Sequence, residues 1–296
     1  MIREVGPRDG LQNEAPLPPA ARAGLIRALA AAGCRSIEAV SFVSERAVPA
    51  MAGAAEVLAA VSDLEDVSFT ALVPNLPGAE AALAAGVSEL TVTISVSEAY
   101  NEKNVRMSIE QSLFEIGRIC AAAGADPPVD AVISCSFGSP FPTETVGPQR
   151  VAELADRARS AGCSRLTLAD TTGIATPRRV EEVVSAVEGQ GFAVEEMGLH
   201  LHDTRGTALL NAYAALERGV RRFDTSVGGL GGSPFAPGAG GNLATEDLIG
   251  LLHDLGVETG IDLDALLAVS DQVAELVGHD VPSRTASAGR DARRRY

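Results

Sequence analysis

Two histidines spaced two residues apart, His200 and His202 in the stretch "MGLHLHD", are the clearest chemical signal in the sequence. The apolar residues around them are typical of a buried strand, where residues i and i+2 point to the same face. A single buried histidine is more often structural, but two imidazoles on one face can bind one metal ion. The spacing therefore favours a metal site, which needs further ligands.

A carboxylate and an amide are candidates for those further ligands. Asp9 follows the first predicted strand, "IREVG", and its carboxylate would give mixed nitrogen and oxygen ligation suited to Mg²⁺, Mn²⁺ or Zn²⁺. Asn242 precedes a predicted helix, so its side chain either offers an oxygen to the metal or caps that helix. The residues alone leave both roles of Asn242 open.

Three more charged residues stand in or at the ends of predicted strands. Arg8 would stabilise negative charge that develops on a substrate oxygen, or it would form a salt bridge with an interior carboxylate such as Glu38. Glu38, in "SIEAVS", and Asp170, at the end of "RLTLAD", either balance the charge of Arg8 or orient it and relay protons. These three residues are the candidates for catalytic groups beside the metal.

The stretch "GGLGGSPFAPGAGGNLATED", residues 228–247, contains seven glycines and one serine, Ser233. It lacks the lysine of a GxxxxGK[ST] loop and the GxGxxG spacing, so it is a poor phosphate cradle. A helical pattern follows directly, which is unusual for a linker. We interpret the stretch as a lid over the site, with glycines as hinges and backbone donors.

The elements that must position these residues follow a repeated pattern, in which an alanine-rich helix ends on glycine and a buried strand follows within a few residues. Eight strands are predicted to begin near residues 2, 35, 68, 89, 129, 165, 197 and 221. Eight alternating strands and helices predict a TIM (β/α)₈ barrel, whose active site lies at the carboxyl ends of the strands. We expect one domain over 1–296, with an additional C-terminal helical segment at about 261–279 and a frayed tail at about 281–296.

Composition excludes several classes of function. A formal net charge of -15 opposes binding to nucleic acid or to an anionic membrane surface, and no apolar run approaches the length of a membrane span. The four cysteines, Cys34, Cys120, Cys135 and Cys163, are widely spaced, which indicates buried thiols in a reducing compartment. With no targeting segment recognised at the start of the sequence, we expect a cytoplasmic protein.

Four motifs resemble those of one known family. "EVGPRDGLQNE" (4–14), "SIEAVSFVS" (36–44), "HLHDTRG" (200–206) and "GLGGSPFAPGAGGNLATED" (229–247) are similar, in order, to motifs of the 3-hydroxy-3-methylglutaryl-CoA lyase family of TIM-barrel metallolyases. The resemblance implies cleavage of 3-hydroxy-3-methylglutaryl-CoA, or a related 3-hydroxyacyl-CoA, to acetyl-CoA and acetoacetate with a divalent cation. It also suggests a homodimer.

The resemblance assigns roles by matching motif positions. It implies that the metal ligands are Asp9, His200, His202 and Asn242. It also implies that Arg8 stabilises the enolate of the departing acetyl-CoA, with Glu38 and Asp170 as supporting acids.

Two serines depart from the family pattern. The lyases read G-L-G-G-C-P where this chain has Ser233, and that family cysteine transfers a proton; Ser139 likewise stands where the family commonly carries a cysteine. A thiol has a pKa of about 8.5 and exchanges a proton near neutral pH, whereas a serine hydroxyl needs an activating neighbour. Two alternatives therefore stand beside the lyase: a superfamily aldolase that acts on a 2-oxo acid, and an acyl-CoA-binding barrel with weak or no activity.

Overall fold

A computed structural model describes residues 1–232, 238 and 240–288 of the chain. Its eight strands are all parallel and close into a barrel, in which each strand pairs with its neighbours in sequence and β8 pairs with β1. The strands are β1 Ile2–Glu4, β2 Ser36–Ser41, β3 Ser68–Leu72, β4 Glu89–Ser95, β5 Val129–Ser134, β6 Arg165–Asp170, β7 Met197–Leu201 and β8 Arg222–Thr225. The predicted TIM barrel is confirmed.

Helices surround the barrel and follow the predicted alternation. They are α1 Pro19–Ala31, α2 Ala54–Ala59, α3 Leu76–Ala84, α4 Glu98–Val105, α5 Ile109–Ala123, α6 Pro148–Ser160, α7 Pro177–Glu188, α8 Ala208–Arg218, α9 Thr245–Asp254, α10 Leu263–Val277 and α11 Arg284–Ser287. The additional C-terminal helical segment predicted at about 261–279 is α10. The glycines predicted to end helices all have positive φ, although Gly124, with a ψ of -139°, lies outside the left-handed helical region: Gly33, Gly86, Gly124, Gly162 and Gly219.

Buried charges fill the amino-terminal half of the barrel interior. The guanidinium of Arg3 contacts Glu89 at 3.0 Å, Asp130 at 2.8 Å and Asp224 at 2.8 Å, and all four side chains are buried. The attraction between the guanidinium and the carboxylates offsets the free energy that each charged group loses when it is removed from water. This network supports the floor on which the site is built, because Asp224 also reaches one of the two histidines.

The chain after α10 packs back onto the barrel. Ser283 is buried, and its hydroxyl donates to Asp247 at the start of α9 (3.0 Å). Residues 281–288 were expected to fray, but α11 and this contact hold them against α9. A flexible tail stays a prediction for 289–296, which lie outside the described residues.

The cysteines agree with the sequence analysis, since all four are free and buried. Across the described part of the chain, no helix combines the length and the apolar character needed to cross a membrane.

Candidate active site

Arg8 and Asp9 leave β1 on a π-helical turn, Gly6–Gly10. The carbonyl of Val5 accepts hydrogen bonds from the amides of Arg8 (3.1 Å), Asp9 (2.7 Å) and Gly10 (3.2 Å). Because one carbonyl accepts hydrogen bonds from three consecutive amides, the turn is tight. It presents both side chains to the mouth of the barrel, where they line a cavity.

The two histidines lie beside this turn, as the spacing predicted. His200 is in β7 and faces Asp224 of β8, and His202 lies just past the strand, in an antiparallel bridge with Asn242. His200 Nδ1 is 3.2 Å from Asp224 Oδ2, and His202 Nδ1 is 2.9 Å from the carbonyl of Gly240. Since a carbonyl only accepts, His202 Nδ1 carries a proton and its Nε2 keeps a lone pair.

The two imidazoles point their remaining nitrogens at one another, with 3.3 Å between His200 Nε2 and His202 Nε2. Burial, together with the neighbouring His200, lowers the pKa of His202 to about 4. Burial also opposes protonation of His200, but the carboxylates of Asp224 and Asp9 outweigh it, so the pKa of His200 is raised. Two lone pairs at this distance repel unless a proton or a metal cation lies between them.

Asp9 and Asn242 complete the cluster. Asp9 Oδ2 lies 3.9 Å from His200 Nε2 and accepts from Asn242 Nδ2 at 2.7 Å. Asp9, His200 and His202 each offer one ligand atom, and these atoms lie within 4.8 Å of one another. Asn242 Oδ1 is buried and has no hydrogen-bond partner in the described residues, while Nδ2 of the same amide is the atom that contacts Asp9. The cluster can hold a metal ion.

Arg8 joins two of the predicted acids. Its Nε donates to Glu38 Oε2 (2.6 Å) and its Nη1 donates to Asp9 Oδ1 (2.7 Å). Burial opposes the charge of Asp9, but Arg8 and the nearby histidines outweigh it and lower the pKa of the Asp9 carboxyl. The salt bridge between Arg8 and Glu38, considered from sequence as an alternative to a catalytic role, is therefore present. It fixes Arg8 beside the metal-binding cluster, so the two roles are compatible.

The third predicted acid, Asp170, lies in a different setting at the end of β6. Its carboxylate accepts from the amides of Ile174 and Ala175, each at 3.0 Å. The described residues show no ion pair or hydrogen bond between Asp170 and Arg8. Burial raises the pKa of Asp170 to about 6, against the effect of these backbone donors. Its neighbours in sequence, Ala169 and Thr171, line the cavity.

The glycine-rich stretch passes so close to the cluster that two positions exclude a side chain. Gly231 has a φ of +109°, and a Cβ there would lie 2.4 Å from Asn242 Nδ2. A Cβ on Gly241 would lie 1.9 Å from the carbonyl of Gly229. These glycines therefore allow close packing around Asn242, and the hinge role stays a prediction. Ser233 lies outside the described residues.

Two buried glutamates fix the base of this stretch. Glu4 Oε1 accepts from the amides of Gly6 (2.7 Å) and Val227 (2.9 Å), and Glu4 Oε2 accepts from the hydroxyl of Thr245 (2.5 Å). Glu246 accepts from the amide of Gly228 with both oxygens, each at 3.0 Å. Burial raises the pKa of Glu4 and of Glu246 to about 7.

Two residues of the site were missed from sequence. Asp224 orients His200, and Gln12 Nε2 donates to Asp9 Oδ1 at 2.9 Å. Asp224 could have been found, because it occupies the strand next to His200, and a carboxylate on a buried barrel strand needs a partner. Gln12 carries no comparable signal in the sequence.

The cluster opens into a cavity of about 730 Å³ at the mouth of the barrel. This volume is in the range of sites for small molecules and cofactors. Its lining includes Arg8, Asp9, Glu38, His200 and His202 on one side, with uncharged residues of the central strands and residues of α4 elsewhere. The site is therefore reached from the carboxyl ends of the strands, as expected for this barrel.

Known proteins are similar to this chain in both sequence and fold. The chain is 46% identical over 296 residues to hydroxymethylglutaryl-CoA lyase of Pseudomonas mevalonii, covering 99% of this chain and 98% of that protein. It is 42% identical to the 3-hydroxy-3-isohexenylglutaryl-CoA/hydroxymethylglutaryl-CoA lyase of Pseudomonas aeruginosa, covering 96% of this chain and 95% of that protein. An HMG-CoA lyase from Acinetobacter baumannii, solved in complex with coenzyme A and 3-methylmalate, superimposes with a TM-score of 0.93 at 40% identity, covering 98% of this chain and 95% of that chain. The family model described as HMGL-like matches residues 1–273, and the chain belongs to the HMGL-like family.

Proposed function

We propose that this protein is a carbon–carbon lyase that cleaves 3-hydroxy-3-methylglutaryl-CoA, or a related 3-hydroxyacyl-CoA, to acetyl-CoA and acetoacetate. The observation that carries the proposal is the convergence of Arg8 with Asp9, His200 and His202 in one cavity, in a chain whose relatives are named for this reaction. The relative from Pseudomonas aeruginosa is named for two substrates with different groups at C3, which supports the broader substrate class.

The reaction needs a divalent cation in this proposal, and the residues fit one. Asp9, His200, His202 and Asn242 would hold it. The ligand atoms of the first three lie within 4.8 Å of one another, and the Asn242 amide contacts Asp9 and has an oxygen with no partner in the described chain. When bound, the cation would lower the pKa of the substrate C3 hydroxyl and orient it. Mixed nitrogen and oxygen donors suit Mg²⁺, Mn²⁺ or Zn²⁺, with Mg²⁺ or Mn²⁺ the first choice.

Arg8 provides the positive charge that the leaving group requires. When the C2–C3 bond breaks, its electron pair passes to C2 and the thioester becomes an enolate, while the C3 hydroxyl loses its proton and becomes the ketone of acetoacetate. The guanidinium is held by Glu38 and Asp9, so it is oriented before the charge develops. Glu38 therefore supports catalysis by fixing Arg8.

Two protons must move, and two residues are assigned to them. Asp170 is assigned to the proton that leaves the hydroxyl by motif position alone. Its carboxylate accepts from two amides of the following loop, and its sequence neighbours Ala169 and Thr171 line the cavity. Ser233 would occupy the position from which the enolate carbon is protonated, by motif position alone. The hydroxyl is a weak donor, so a low rate of this last step is part of the proposal.

Two cationic side chains in the cavity lining support the assignment of an acyl-CoA substrate. Lys103 and Arg106, at the end of α4, both line it and could contact the phosphates of coenzyme A. Lys103 also lies 4.5 Å from the ring centroid of Phe141, which holds its ammonium near the mouth.

A homodimer and a cytoplasmic location stay predictions. Sedimentation of the purified protein would test the first, and fractionation of the source cells would test the second.

One assay tests the proposed function. Purified protein with Mg²⁺ or Mn²⁺ and 3-hydroxy-3-methylglutaryl-CoA should release acetoacetate, which a coupled reductase assay detects. The alternative of an acyl-CoA-binding barrel, favoured by Ser233, predicts substrate binding by calorimetry without product. Turnover of a 2-oxo acid in place of the thioester would favour the superfamily aldolase.

A further inference from the structure

Thr204 lies in the loop between β7 and α8, where three segments at the mouth of the barrel meet. Its hydroxyl donates to the carbonyl of Thr172, in the loop after β6, at 2.9 Å. The same oxygen accepts from the amide of Gly240, in the segment that leads to Asn242, also at 2.9 Å. One hydroxyl therefore joins the loops that follow β6, β7 and β8.

Two glycines make room for this side chain. Gly173 has a φ of +63°, and a Cβ there would lie 2.5 Å from Thr204 Cβ. A Cβ on Gly240 would lie 2.9 Å from Thr204 Cα and 3.0 Å from its amide nitrogen. Because both loops approach Thr204 too closely for a side chain of their own, packing fixes its position together with the two hydrogen bonds.

The contact matters because Gly240 also orients a candidate metal ligand. The Gly240 carbonyl lies 2.9 Å from His202 Nδ1 and accepts the proton that this nitrogen carries. Gly240 is followed by Gly241, and consecutive glycines have little conformational preference of their own. The Thr204 hydroxyl holds the amide before this carbonyl, and the amide of Asp203 holds the carbonyl of Gly241 after it (2.8 Å). The Gly240 carbonyl is thus kept toward His202 by contacts on both sides.

We propose that Thr204 is a positioning residue of the active site, whose hydroxyl holds Gly240 so that its carbonyl keeps His202 in the tautomer that presents Nε2 to a metal ion. This inference rests on the metal site of the proposed function and adds the residue that fixes one of its ligands. Partners behind a metal-bound histidine typically contribute about 10-fold to 100-fold in metal affinity. The same hydroxyl also holds the loop that carries Asp170, through the carbonyl of Thr172.

Thr204→Val keeps the shape of the side chain but removes the hydroxyl. We expect Mn²⁺ affinity, measured by calorimetry, to weaken by about 10-fold, the lower end of the range because Thr204 acts through Gly240. Thr204→Ser keeps the hydroxyl and should bind Mn²⁺ like the wild type. Thr204→Ala also removes the hydroxyl, without bulk against the two glycines, and gives the same test if Thr204→Val does not fold. Thr207→Val is the matched control, because the buried Thr207 hydroxyl has no hydrogen-bond partner among the described residues.

A second readout needs no metal. Nitrogen NMR of isotope-labelled histidine side chains reports which imidazole nitrogen carries the proton, and near neutral pH the wild-type His202 should be protonated at Nδ1. In Thr204→Val we expect a mixture of the two tautomers, and in Thr204→Ser the wild-type tautomer. A merely structural role of Thr204 would leave this signal unchanged.

Unchanged Mn²⁺ affinity together with an unchanged tautomer in folded Thr204→Val would overturn the inference. An equal loss of affinity in Thr207→Val or Thr204→Ser would also overturn it, because the effect would then come from packing of the loop and not from the hydroxyl contact. A wild type that binds no Mn²⁺ would instead contradict the proposed metal site, and the tautomer measurement would still decide the role of Thr204.

Discussion

The Nε2 atoms of His200 and His202 face each other at 3.3 Å, while each Nδ1 atom is held by an oxygen acceptor. The pair is thus oriented to share a cation. His202→Ala removes one of the two imidazoles, so we expect Mn²⁺ binding, measured by calorimetry or electron paramagnetic resonance, to be lost. The exposed His253→Ala is the matched control and should bind Mn²⁺ like the wild type. Unchanged stoichiometry in His202→Ala would remove the assignment of the ligands.

Mn²⁺ affinity should also depend on pH. Burial opposes protonation of His200, but Asp224 and Asp9 outweigh it and raise its pKa, so a proton on His200 competes with the metal more effectively than at an ordinary histidine. Affinity should therefore fall as the pH is lowered through the titration of His200. Titrations of Mn²⁺ at several pH values between about 5 and 8 would check this, with an affinity independent of pH as the contrary result.

Asp224→Asn tests the residue behind His200. The amide keeps the shape but loses the charge that fixes the imidazole, so Mn²⁺ affinity should weaken by about 10-fold to 100-fold. Asp130→Asn is the control, because Asp130 also pairs with Arg3, whereas among the described residues it makes no hydrogen bond or ion pair with His200. If both variants weaken Mn²⁺ binding equally, the effect comes from the buried charge network and not from the orientation of His200.

Arg8→Lys should lower kcat by about 10²-fold to 10³-fold, with a much smaller effect on KM. A lysine ammonium cannot hold Glu38 and Asp9 in the two directions that the guanidinium spans. Arg27→Lys changes an exposed arginine that pairs with Asp63 and should leave both constants unchanged. A selective rise in KM would show that Arg8 binds substrate and does not stabilise the transition state.

Ser233→Cys should raise the rate of acetoacetate release by about 10²-fold to 10⁴-fold, since a thiol is a far better proton donor than a hydroxyl near neutral pH. Ser139→Cys is a useful comparison, because Ser139 donates to Glu144 at 2.8 Å in the loop before α6. It should give no such gain. A wild-type rate equal to that of Ser233→Cys would show that the serine is fully competent.

Glu246 predicts a pH effect on stability. Burial raises its pKa from 4.5 to about 7 in the folded state, so the folded protein favours the protonated form. The free energy of unfolding therefore falls as the pH rises from 4.5, the pKa in the unfolded chain, through about 7. Glu246→Gln removes the ionisation, and the variant should gain on the wild type by up to about 3 kcal/mol across this range. Denaturant unfolding at pH 5 and pH 8 measures the difference, with exposed Glu258→Gln as the control. A difference that does not change with pH would contradict the assignment.

The barrel could be predicted because each of its elements has a local signal. Glycines such as Gly219 end helices in the left-handed conformation, and apolar strands follow at regular spacing, so eight units could be counted. Closure of the barrel then pairs β1 with β8, which itself pairs with β7, and Asp9 could therefore be placed near the histidines from sequence.

The supporting contacts could not be predicted, because they depend on register and side-chain direction. Asp170 ends its strand as expected, but its carboxylate turns to the amides of the following loop. The choice between the two roles of Asn242, metal ligand or helix cap, also needed coordinates. Asn242 does not cap α9, because α9 begins at Thr245 and the Asn242 side chain contacts Asp9.

Barrel closure also sets the order in which the site can be made during synthesis. Asp9 is synthesised before Asn242, its hydrogen-bond partner, from which it is separated by 233 residues. Glu4 likewise waits for Val227 and Thr245 before its carboxylate is satisfied. A growing chain therefore carries three of the four ligand side chains without a closed ring to hold them. Metal uptake should consequently be a late event that reports completion of the final strand and its docking against the first.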